Sequence, residues 1–115
     1  MTILCENKKY IVEYKYESVY LREKTNGSYV CIGQFYGDPF DAILDKNNQF
    51  CVMCGCGIIV YYLNKPFVEY DYNKKSKQWR KFFCKEELYF TKLYQLGDNE
   101  IIAIEESGKK ILIKV

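Results

Sequence analysis

At 115 residues, 49% hydrophobic and 28% charged, the chain can fill one core but not two, and its charge is too ordinary for a disordered polymer. Net charge is +2 and histidine is absent, which removes the commonest general base and metal ligand. Residues 73–85 hold six basic residues and no acid, while the rest of the chain holds 11 basic against 15 acidic residues, a net of −4; a protein that binds nucleic acid over its whole surface is more basic than this.

The opening MTILCENKKY is too short in apolar residues for a secretory signal. From Tyr10 to Glu17 the alternation is strict, with Tyr10, Val12, Tyr14 and Tyr16 on one face, and predicts a half-buried strand. Val19 to Glu23 is a second short strand, either separate from the first or continuous with it through a bend near Ser18. Thr25-Asn26-Gly27-Ser28 predicts a hairpin turn, because Asn and Gly tolerate positive φ. Tyr29 to Phe35 returns, and Tyr36-Gly37-Asp38-Pro39 ends it in a turn.

Ala42 to Leu44 predicts a brief strand, Asp45 to Asn48 a turn, and Phe50 to Met53 a strand. After Gly55 and Gly57, Ile58 to Leu63 is a near-continuous apolar run, expected to be central and buried on both faces. The apolar stretch from Gly55 to Leu63 is about half the length of a membrane span. Following the Asn64-Lys65-Pro66 turn, Phe67 to Tyr72 alternates again and predicts a strand. Gln78 to Phe83 pairs back across the polar loop 73–77. Residues 85–94 read as one helical turn and then a strand from about Leu88. Ile101 to Ile104, a Ser107-Gly108 turn, and a strand with Ile111, Ile113 and Val115 on one face complete the chain.

Shifting the sequence by 51 residues places Phe50-Cys51 on Ile101-Ile102, Gly57 on Gly108 and Val60-Tyr61-Tyr62 on Ile111-Leu112-Ile113. Either any two hairpins look alike, or blade-like units are duplicated. A closed propeller needs at least about four blades and does not fit this length. The expectation is one all-β domain over residues 1–115, mainly antiparallel. Its consecutive hairpins meander into a twisted sheet or a small two-sheet sandwich, with at most one short helix.

Few residues point to chemistry. Cys51-x-x-Cys54-x-Cys56 has the spacing of half a thiolate metal site, with Cys5, Cys31 or Cys84 as the fourth ligand. Its rival is a set of core thiols, since free cysteine packs as a small hydrophobe; no metal or cofactor is expected. Without histidine a nucleophilic cysteine or serine lacks its usual base. Asp38, Asp41 and Asp45 read as turn residues rather than a catalytic cluster. Gly55-Cys56-Gly57 lacks the Lys and the following helix of a phosphate loop. Lys74, Lys75, Lys77, Arg80, Lys81 and Lys85 interleave with Trp79, Phe82 and Phe83. That pattern suits a solvated hairpin, a dock for an acidic protein, or single-stranded nucleic acid.

The stretches Tyr36-Gly37-Asp38-Pro39, Ala42-Ile43-Leu44-Asp45, Asn48-Gln49-Phe50-Cys51-Val52 and Gly55-Cys56-Gly57-Ile58-Ile59-Val60-Tyr61 resemble small bacterial immunity proteins of contact-dependent or polymorphic toxin systems. The resemblance implies a cytosolic, non-enzymatic protein that binds a toxin domain and blocks its active site. Tyrosine is abundant, and its amphipathic ring suits interfaces. The expected partner contacts are Tyr36, Asp38, Tyr72, Lys74, Lys75 and Trp79. The alternatives are a phage-encoded inhibitor of a host defence nuclease and a single-stranded nucleic-acid module using residues 74–85. No membrane partner is expected, and the location expected is the cytoplasm, with the six cysteines reduced.

Overall fold

The computed structural model describes the whole chain, Met1 to Val115, and contains eleven strands and no helix. All pairings are antiparallel, and the strands follow one another as a meander. They divide into three sheets. Sheet 1 is β1 (Thr2–Glu6), β2 (Tyr10–Lys15), β3 (Ser18–Glu23) and β4 (Tyr29–Gln34); sheet 2 is β5 (Asp41–Leu44), β6 (Phe50–Gly55), β7 (Gly57–Tyr62) and β8 (Trp79–Phe82). Sheet 3 has three strands, β9 (Phe90–Gly97), β10 (Glu100–Glu105) and β11 (Lys110–Lys114).

Sheet 2 is the middle layer and forms a sandwich with each neighbour. The period of two assigns its side chains. Cys51, Met53, Ile59 and Tyr61 join Tyr10, Val12, Val19 and Leu21 of sheet 1 in one core. Phe50, Val52, Cys54, Ile58 and Val60 join Phe90, Leu93, Ile101 and Ile113 of sheet 3 in the other. Every residue of β6, and all of β7 but its last, is therefore buried. Each large aliphatic side chain hidden this way contributes about 1.5–3 kcal/mol. The first strands of the sheets, β1, β5 and β9, lie side by side in that order, so the sheets fan out from a shared inner line.

The all-β antiparallel meander is as expected, and so is β7 buried on both faces. The 51-residue shift maps β6 and β7 onto β10 and β11, which hold the second and third places of consecutive sheets. Four local readings change. Thr2–Glu6 is a strand, although its period is interrupted by a bulge between Ile3 and Cys5. The bend near Ser18 is a tight hairpin in which Lys15 faces Ser18 and Tyr16 takes φ +56°. No Gly or Asn marks that turn, so the sequence conceals it. The segment Phe67 to Tyr72, which enters a turn at Tyr72, joins no ladder. It is tied down instead by Tyr70 N–H donating to Cys31 O (2.8 Å) and by Tyr61 Oη donating to Val68 O (2.6 Å). Residues 84–87 form a turn without a helix, with Phe83 and Glu87 at positive φ, Tyr89 makes an isolated bridge to Cys56, and β9 starts at Phe90.

Candidate functional site

A cleft of about 590 Å³ lies between the outer edges of sheets 1 and 2. The β2–β3 turn brings Glu17 and Ser18 to it, and the end of β4 brings Gln34, Phe35 and Tyr36. The segment between β7 and β8 supplies Tyr70 and Tyr72, β8 supplies Lys81, and the residues just before β7 and just after β8 supply Cys56 and Cys84. Two hydrogen bonds fasten the first wall: Phe35 N–H donates to Glu17 O (2.9 Å) and Gly37 N–H donates to Glu17 Oε2 (2.5 Å). Opposite, Lys81 Nζ donates to Tyr72 O at 3.4 Å.

The floor is close-packed. Gly57 has φ +92°, and a Cβ there would lie 2.6 Å from Cys84 Sγ and 2.8 Å from Cys84 Cα. Only glycine allows this approach. Its N–H donates to Leu88 O (2.7 Å), which anchors the turns after β8 beneath the cleft.

Tyr36 is 80% exposed and Tyr72 is 64% exposed, and both line the cleft. Asp38 is exposed beside Tyr36 in the chain, and Lys74 and Lys75 are exposed just beyond Tyr72. Trp79 is elsewhere. It is 5% exposed, stacked on Tyr61 at 6.4 Å and tilted against Tyr70 at 5.0 Å, so a partner at the surface does not reach its ring. The reason is register: Trp79 pairs with Tyr61, on the face of sheet 2 turned to sheet 1. Glu17, Tyr70 and Lys81 were not anticipated as cleft residues. No signal near any one of them in the chain names the others, because only the packing of sheet 1 on sheet 2 brings them together.

The Cys51-x-x-Cys54-x-Cys56 group does not converge. Cys51 lies in the first core, Cys54 in the second and Cys56 at the cleft. On a strand, positions three apart point to opposite faces. No group of three or more Cys, Asp or Glu side chains is arranged to hold a metal ion. All six cysteines are free. Burial pushes Cys5 and Cys54 up to about 12, with Asp41 adding to the effect, and also raises Cys31, Cys51 and Cys84. Such thiols are poor nucleophiles at neutral pH.

Of the aspartates in the Asp38–Asp45 region, Asp41 and Asp45 bind backbone N–H groups. Asp41 accepts from Ala42 N–H and Leu93 N–H, both at 2.9 Å. Asp45, 1% exposed, accepts from Gln49 N–H (3.0 Å) and Gln95 Nε2 (2.7 Å). The basic stretch is likewise divided: Lys81 points to the cleft side of β8, and Arg80, paired with Val60, points to the side of the second core. No helix is long and apolar enough to cross a membrane. Comparison with protein families, curated proteins and solved structures finds no match to this chain.

Proposed function

We propose that this chain is a non-enzymatic protein-binding inhibitor acting in the cytoplasm. It is of the kind that small immunity proteins represent, covering the active site of a cognate toxin domain. The observation that carries the reading is the pair Tyr36 and Tyr72, two largely exposed rings beside one cleft on a framework of ladder-bonded strands. Tyrosines on rigid supports lose little entropy on binding and serve as anchors. Asp38, exposed two residues after Tyr36, and Lys74 and Lys75, exposed just after Tyr72, supply charges of both signs for steering a partner. The cleft's two charged side chains, Glu17 and Lys81, are engaged with backbone groups rather than with each other or with a thiol. Nucleic acid is less well served, because Trp79, the largest ring of the basic stretch, is unavailable for stacking.

The test begins with affinity capture from the source cells and identification of the bound protein by mass spectrometry. Affinity for that protein is then measured for Tyr36→Ala and Tyr72→Ala. Each change is expected to weaken binding by about 10–100-fold while leaving the far-ultraviolet circular dichroism unchanged. Unaltered affinity in both variants would remove the cleft from the interface.

A further inference from the structure

Sheet 3 is one strand narrower than its neighbours. Sheets 1 and 2 each run to a fourth strand, β4 and β8, whereas sheet 3 stops at β11, which pairs only with β10. The orientation of the β11 backbone follows from two hydrogen bonds: Glu105 N–H donates to Lys109 O (2.9 Å) and Val115 N–H donates to Asn99 O (2.8 Å). Residues 109 and 115 thus face β10. Because bonding direction alternates along an antiparallel strand, Lys110, Leu112 and Lys114 turn their N–H and C=O groups outward. Their side chains lie on the outer face of sheet 3, opposite Ile104, Ile102 and Glu100. Ile111 and Val115 lie on the core face and are only partly buried. On the face of sheet 2 turned to sheet 3, Phe82 is half-buried and Arg80 exposed.

We infer that the outer edge of β11 is a docking site for an extended segment of a partner protein, added as a fourth strand with acidic residues opposite Lys110 and Lys114. Strand addition of this kind takes affinity from backbone hydrogen bonds and specificity from alternate side chains. Neither lysine has an ion-pair partner within the chain. A second copy of β11 would set lysines against lysines, which is repulsive, so the edge is guarded against self-pairing. Opposite Leu112 an apolar residue fits, and opposite Ile111 and Ile113 apolar residues would extend the second core. The pattern required is acid, three apolar residues, acid. This site is separate from the Tyr36–Tyr72 cleft and stands whether or not the cleft binds a toxin.

The test uses a ten-residue synthetic peptide centred on Glu-Val-Leu-Val-Glu, with Lys-Val-Leu-Val-Lys and Glu-Val-Pro-Val-Glu as controls. Nuclear magnetic resonance follows amide exchange in the full chain. The expected result is slowed exchange at the Lys110, Leu112 and Lys114 amides with the first peptide alone. Charge reversal by Lys110→Glu with Lys114→Glu is expected to weaken binding by about tenfold or more, and Lys110→Gln with Lys114→Gln to weaken it less. Unchanged exchange at those three amides, or equal binding of the lysine or proline peptide, overturns the proposal. So does a peptide-free dimer in which the same amides are already protected.

Discussion

Trp79 shows how one side chain can change role between sequence and fold. As part of a basic-aromatic run it reads as a contact residue; in the structure it closes the first core together with Tyr61 and Tyr70. Trp79→Ala is therefore expected to cost about 3–5 kcal/mol of stability, read from denaturant midpoints, while the folded fraction keeps its affinity for a partner. A variant of native stability with weakened binding would return Trp79 to the interface. Glu13 is a second case. It is 5% exposed on the outer face of sheet 1 and is held by Arg22 at 2.9 Å, with its Oε2 lacking any hydrogen-bond partner. Strand alternation puts it on the polar face correctly, but Ile3, Tyr20 and Arg22, which flank it across the ladder or one pair along, are known only from the register.

Turns were legible where glycine or asparagine marked them. Gly27 at φ +70° and Gly108 at φ +96° sit at the predicted turns, and Asn48 takes φ +55° in the Asp45–Asn48 turn. The β3–β4 loop is wider than the two-residue turn its Asn-Gly pair suggests, since Glu23 N–H donates to Ser28 O and Gly27 N–H donates to Glu23 O. The β2–β3 hairpin was invisible because a tyrosine occupies the left-handed position. Gly27 and Gly57 allow a direct comparison between loop and floor. A Cβ at Gly27 would meet nothing within 4 Å, whereas at Gly57 it would strike Cys84. Gly27→Ala is expected to cost about 1 kcal/mol, from backbone strain alone. Gly57→Ala should cost distinctly more and expose the Cys84 thiol to alkylation. Equal losses for the two variants would show that the turns after β8 yield freely.

For the molecule as a whole, the thiols and phenols taken out of water set an alkaline limit. Cys5 in β1 and Cys54 in β6 rise from an ordinary 9.0 to about 12, and Tyr70 rises from 10.0 to about 12, each mainly through burial. Below pH 9 both the folded and the unfolded chain keep these protons, and the stability linked to them is fully present. Between pH 9 and 12 the unfolded chain loses protons that the folded chain retains, so unfolding is favoured as pH rises. Lys65 and Lys46, held charged by Glu23 and Asp98, act in the same direction. Urea midpoints should hence be lower at about pH 10.5 than at about pH 8, and equal midpoints would mean that the buried thiols ionise freely in the native state.

The sequence by itself determined the fold class and most strand positions. A side-chain period of two, broken by turn residues, is a local property of the backbone and survives without tertiary context. It also established that β7 is buried on both faces, because an unbroken apolar run leaves no polar side to solvate. Only the tertiary structure decided that the hairpins divide into three sheets, that Cys51, Cys54 and Cys56 part company, and that Glu17, Tyr36, Tyr72 and Lys81 share one cleft. Alternation says which residues share a face. Which faces meet is set by long-range stacking, where two apolar sides of one sheet each find a different partner.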